Sequence, residues 1–202
     1  MLNQLTTLIS KALLFLALIV ATAPAAFSQK AALKTNLISD ATTTPNLGIE
    51  FRMAPKWTFD LTGQLNAWNI HGRRWRHWMV QPEARIWLCE AFQGSFFGLH
   101  AIGGQFNVGN LTFLPDGFKF LGTDFSNLKD KRYQGWGAGA GIAYGYDWIL
   151  AKHWNLEFEV GVGWIWTKYT RYPCTVCGTP QGKGHHNYFG PTKLSLAIEY
   201  LF

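Results

Sequence analysis

The sequence predicts an all-β protein, an eight-stranded antiparallel transmembrane β-barrel preceded by a cleaved signal peptide, and three observations carry that expectation. First, the last ten residues, K-L-S-L-A-I-E-Y-L-F, place Leu194, Leu196, Ile198, Tyr200 and Phe202 on one parity and Lys193, Ser195, Ala197 and Glu199 on the other. A strand with that alternation has one apolar and one polar face. Second, the same period of two recurs in seven earlier segments. Third, an apolar run from Ala12 to Ala23 precedes the small residues Ala26-Phe27-Ser28, the pattern of a secretory signal cut after Ser28. About twelve apolar residues fall short of the ~20 that a spanning helix needs. Residues 1–28 are therefore read as signal peptide and 29–202 as one barrel domain.

Composition fits a barrel better than its averages suggest. Hydrophobic content is 48% and aromatic content 16%, with ten Trp and 21 Gly, and mean hydropathy is −0.01. Alternation dilutes the hydropathy of a barrel to near zero. The Trp excess suits interfacial girdles, and the glycines suit strands and turns rather than helices.

The strands follow in order. Ala31–Asp40 sets Leu33, Thr35 and Leu37 against Lys34 and Asn36. Asn46–Ala54 alternates Leu47, Ile49, Phe51 and Met53 with Glu50 and Arg52. Trp57–Asn69 sets Trp57, Phe59, Leu61 and Leu65 against Thr58, Asp60, Thr62 and Gln64. Trp78–Cys89 sets Val80, Ala84, Ile86 and Leu88 against Gln81, Glu83 and Arg85. There Trp87 breaks the parity and Pro82 lacks a donor, which predicts a bulge. Ser95–Phe106 is less regular, with Phe and Gly on both faces. Tyr133–Ile149 faces Trp136, Ile142, Tyr144, Tyr146 and Trp148 away from a row of glycines and Asp147. The seventh strand opposes Trp154, Leu156, Phe158, Val160, Val162, Trp164 and Trp166 to Asn155, Glu157 and Glu159, and the eighth closes at Phe202.

Geometry supports the reading. Trp154 and Trp164 lie ten residues apart on one face, ~33 Å along a strand and ~25 Å along a tilted barrel axis, the height of an apolar band. Connections after strands two, four and six are short, as periplasmic turns are. Those at Ile70–His77, Asn107–Arg132 and Thr170–Asn187 are longer, as extracellular loops are.

Lys34, Glu50, Arg52, Asp60, Glu83, Arg85, Asp147, Glu157, Glu159, Lys193 and Glu199 then point inward. Eight strands leave room only for side chains, so these charges are expected to pair and plug the lumen, with a narrow solute pore as the alternative. Outside, Arg73, Arg74 and Arg76 interleave with Trp75, and Lys131 and Arg132 lie in the next loop. The chain carries a net charge of +6 while the lumen is acidic, so positive charge concentrates on the outer rim. That rim suits the phosphates and carboxylates of lipopolysaccharide, or an acidic glycan. No nucleic-acid motif is present.

Cys174 and Cys177, flanked by Pro173 and Gly178, suit a local disulfide in an exported loop better than a zinc site with His185 and His186. Cys89 reads as a packed thiol. No Ser, His and acid line up at one height, so neither catalytic residues nor a cofactor are expected, and a lipid-modifying enzyme is the weaker alternative.

Five stretches carry a resemblance: Lys34–Arg52, W-M-V-Q-P-E-A-R-I-W-L-C-E-A-F at Trp78–Phe92, F-F-G-L-H at Phe96–His100, R-Y-Q-G-W-G-A-G-A-G-I-A-Y-G-Y at Arg132–Tyr146, and Y-F-G-P-T-K at Tyr188–Lys193. They resemble an uncharacterised family of small outer-membrane barrels from anaerobic Gram-negative gut and oral bacteria. The ending on Tyr200 and Phe202 is similar to the signal read by the barrel-assembly machinery. By architecture the chain resembles the membrane domain of outer-membrane protein A. Membership implies an outer-membrane location with lipid and lipopolysaccharide as surroundings. Some relatives are encoded near fimbrial-type proteins, which implies surface fibres as partners but assigns no functional residue.

Overall fold

The computed structural model describes residues 30–202 apart from 68, 71–72, 111–118, 121–122, 125–130 and 174–177. The expected signal peptide and both Cys174 and Cys177 lie outside the described residues.

Eight long strands form one antiparallel sheet: β1 (Ala31–Asn36), β2 (Asn46–Ala54), β3 (Trp57–Asn66), β4 (Arg73–Trp87), β5 (Gly94–Gly109), β6 (Arg132–Ala151), β7 (Trp154–Tyr172) and β8 (Gly182–Leu201). Each pairs with its chain neighbours. The ring closes where β1 pairs with β8, Leu33 opposite Tyr200 and Lys34 opposite Glu199. The barrel is therefore closed, with no free sheet edge.

Parity decides what is inside. Thr58, Asp60, Glu83, Arg85, His100, Asp147, Asn155, Glu157, Glu159 and Glu199 are buried, whereas Phe59, Leu61, Val80, Ile86, Leu99, Ile142, Phe158, Val160 and Val162 are exposed. A water-soluble fold has the opposite distribution. Trp154 and Trp164 both face outward, as do Trp136 and Tyr146. The less regular fifth strand resolves too: Phe96 and His100 point inward, Phe97 and Leu99 outward.

Four expectations are corrected. β1 stops at Asn36 rather than Asp40, because the Asn36 side chain caps a short helix, α1 (Leu37–Ala41), accepting from the Ile38 N–H at 3.1 Å. Thr35 Oγ1 and Asn46 Nδ2 both donate to the Asp40 carboxylate and pin that turn.

At the open end, strands run where loops were expected. β4 begins at Arg73 and pairs with Asn69–Ile70, and β7 and β8 pair out to Arg171 opposite Gly182. Period two survives in both segments, but their charges mimic loop composition.

No bulge marks Pro82, since β4 keeps one register with both neighbours, and Trp87 keeps its parity by turning inward, buried at 1% exposure. A bulge lies in β8 instead, where Gly161 faces Lys193 but Val162 faces Pro191, leaving Thr192 as the extra residue. Pro191 has no N–H for the ladder, which favours a bulge there. Finally, Cys89 is exposed rather than packed.

Candidate functional site

The lumen is filled by a charge network centred on Arg85. Its guanidinium donates to Glu83 at 2.6 Å, to Glu50 at 2.6 Å, to both oxygens of Glu157 at 2.5 and 3.1 Å, and to Glu159 at 2.7 Å. It also lies 4.4 Å from the centroid of the Phe96 ring. Lys34 Nζ donates to Glu50, Glu157 and Glu199 at 2.6, 3.1 and 3.2 Å. Those three carboxylates are grouped closely enough to hold a metal ion, but the Lys34 ammonium takes the central position.

Lys193 completes the network with Glu83 at 2.7 Å and Glu159 at 3.0 Å. Asp60 lies 3.5 Å from Lys34 and 3.8 Å from both Arg85 and Lys193. His100 Nε2 shares a 2.8 Å hydrogen bond with Thr192 Oγ1, while Nδ1 lies 3.6 Å from Glu83. The β8 bulge is what turns Thr192 toward His100. Glycine makes the fit possible: a Cβ on Gly98 would meet the Glu83 carboxylate, and one on Gly141 the His100 ring.

Of the expected lumen residues, Lys34, Glu50, Asp60, Glu83, Arg85, Glu157, Glu159, Lys193 and Glu199 converge here. Arg52 does not. It is half-buried, opposite Thr58 at the irregular register that precedes the β2–β3 turn, too near the end of the barrel to reach the network. Asp147 forms a separate pair, accepting from Asn155 Nδ2 at 2.6 Å.

An aromatic plug closes the short-turn end. Trp87, Phe92 and Phe96 cluster with Ala32, Ala91 and Leu201. The Trp87 and Phe96 centroids are 4.6 Å apart, and Trp87 Nε1 donates to Thr58 Oγ1 at 2.8 Å. This plug was hidden in the sequence because Trp87 sits on a charged face. The Thr192 bulge was signalled by Pro191 within an alternating run.

The basic rim divides by parity. Trp75 and His77 share the inward face of β4, with ring centroids 6.4 Å apart, while Arg74 and Arg76 share the opposite face with Trp78. Arg73 lies in β4, but its side chain is outside the described residues. Arg74 is opposite Gly109, which is in turn opposite Arg132, so two arginines flank a residue without a side chain. Partial burial, then the positive charges of Arg132 and Arg76, lower the Arg74 pKa from its ordinary value. Arg132 lies 4.1 Å from the Tyr172 ring centroid, and its Nε is buried without a hydrogen-bond partner. Lys131 precedes β6, half-buried. Like charges gathered this way make the local potential positive.

A closed ring of eight antiparallel strands, ion-paired within and apolar without, defines a small β-barrel protein. The chain belongs to the family described as "Protein of unknown function (DUF3575)", whose model matches residues 12–202. No curated protein matches the chain.

Proposed function

We propose that this barrel spans the bacterial outer membrane as a closed surface protein whose basic rim binds acidic groups of lipopolysaccharide, in a structural or adhesion-type role. One observation carries the reading: the large apolar side chains point out while the ionised ones point in. So many exposed apolar residues around a closed sheet need a lipid solvent, not water. Spanning by strands fits a chain in which no described helix is long and apolar enough to cross.

The length of the strands supports the same reading. β6 has 20 residues, ~66 Å of strand or ~50 Å along a tilted axis, against an apolar band ~25 Å tall. The surplus projects at the long-loop end and carries Arg74, Arg76 and Arg132 above the row of Trp78 and Trp136. That height suits headgroup phosphates.

Tyr200 and Phe202 fit a signal for the assembly machinery. Phe202 is exposed on the outer face and its ring lies 5.0 Å from that of Tyr200. Fibre proteins or acidic glycans are partners the same rim suits. The aromatic plug and the filled lumen argue against a solute pore.

The test is fractionation of expressing cells with heat-modifiable gel mobility. Recovery of a compact, heat-shifted form in the outer-membrane fraction is expected. Recovery of folded protein in the soluble fraction overturns the proposal.

A further inference from the structure

Above the charge network a cavity of about 510 Å³ reaches toward the long-loop end. Its floor includes Lys34, Asp60 and Arg85, its walls include Gln64, Gln81, Thr62 and Ser195, and Trp75 stands at its mouth. Trp75 is 43% exposed.

Three properties define what it suits. The cavity is blind: the network and the Trp87–Phe96 plug close the other end, so a molecule enters and leaves by one mouth. That describes a binding site rather than a conduit. Its volume falls within the ~300–1,000 Å³ of small-molecule sites. Its walls mix amides and hydroxyls, which both donate and accept, with the apolar Met79, Pro191 and Ala197. Gln81 Nε2 makes only a long 3.4 Å contact with the Thr192 carbonyl. Asp60, wholly buried on the floor, has an Oδ1 that makes no hydrogen bond and lies 3.5 Å from the Lys34 ammonium.

Charge narrows the class further. An anion entering this floor would meet Asp60 and Glu157. A cation would meet Lys34, Arg85 and Lys193, all within 3.8 Å of Asp60. Neither sign is favoured, whereas a hydroxyl can donate to Asp60 and accept from an amide. The indole of Trp75 offers a flat apolar face to the C–H side of a ring. We infer that this vestibule is a binding site for an uncharged carbohydrate of one or two pyranose rings.

The test uses the full chain, expressed with its leader and purified in detergent. Saturation-transfer NMR is run against glucose, galactose, mannose, N-acetylglucosamine, lactose, maltose and chitobiose, with glucuronate and glucosamine as charged counterparts. At least one neutral sugar should bind more tightly than either charged one, with little change on adding salt. Trp75→Ala and Gln81→Met, with unchanged heat-modifiable mobility, should each weaken that binding about tenfold, as loss of one stacking or hydrogen-bonding partner does.

In the unaltered protein the Trp75 indole N–H signal should move on titration while that of Trp148, on the outer surface, stays fixed. This measurement stands even if a variant fails to fold. No neutral sugar bound at millimolar concentration, tighter binding of a charged sugar, an unmoved Trp75 signal, or folded variants that bind as well as wild type would each overturn the inference.

Discussion

Arg85 and Glu157 form a two-pronged ion pair across the barrel, Nη1 to Oε2 at 2.5 Å and Nη2 to Oε1 at 3.1 Å, joining β4 to β7. These strands are not neighbours in the ring, so the pair braces the wall through its interior. Only a planar guanidinium reaches Glu50, Glu83, Glu157 and Glu159 at once. In this setting the pair's worth lies in what remains if it is broken, since a lone buried charge is expensive.

Removing Arg85 should therefore destabilise the barrel strongly. Arg85→Met should cost ~3–5 kcal/mol, the range for breaking a buried pair, measured by denaturant unfolding in lipid vesicles. Arg85→Lys should recover part of the loss, and adding Glu157→Gln to Arg85→Met should recover some as well. Wild-type stability in Arg85→Met would mean that the network does not brace the fold.

The carboxyl-terminal aromatics should govern assembly. Deleting Phe202, or changing it to Asp, should lower the folded outer-membrane fraction seen as a heat-shifted band, and Tyr200→Asp should act likewise. Equal folded yields in all three would remove the assembly role.

The plugged lumen should be electrically silent. Purified protein in planar bilayers is expected to show no large, stable single-channel currents. Persistent currents of porin size would show that the plug and the network do not seal it.

Changing Arg74, Arg76 and Arg132 together to Ser should leave the ring closed, because Arg76 is exposed, Arg74 and Arg132 are only partly buried, and none belongs to the lumen network. Binding to purified lipopolysaccharide should weaken, and wild-type binding should fade as salt shortens the screening length to ~10 Å at 0.1 M. A triple variant that binds as tightly as wild type, or binding indifferent to salt, would reduce the rim to a solvated face.

One glycine pair tests the packing. A Cβ on Gly145 would enter the Phe96 ring, whereas one on Gly103 meets open space. Gly145→Val should abolish the folded band and Gly103→Val should keep it. Similar yields from both would contradict the tight plug.

Much of this architecture was legible because a barrel wall has only two faces. Asp60 between Phe59 and Leu61, or Glu157 beside Phe158, can be assigned from parity alone. What escaped was whatever departs from local pattern. Trp87 is apolar on the polar face because the plug needs it there, a demand that only the closed end of the ring imposes. Asn36 ends β1 through a side-chain bond to Ile38 that an alternation running on to Leu37 conceals. Arg74 and Arg76 look like loop residues, yet their backbone continues the ladder beyond the apolar band. The vestibule was out of reach, since Trp75 and Gln81 on β4 meet Ser195 on β8 only after closure.

The seam between β1 and β8 has a consequence for the order of events in folding. The bond from Lys34 to Glu199 joins residues 165 positions apart. A nascent chain thus holds its first strand unsatisfied, with an ammonium awaiting part of its counter-charge, until the final strand arrives. Closing so long a loop is slow and entropically unfavourable, and no smaller ring is available on the way. The ring then has one seam, and a chain without its last strand leaves the edges of both β1 and β7 unpaired, the kind of edge on which other strands add.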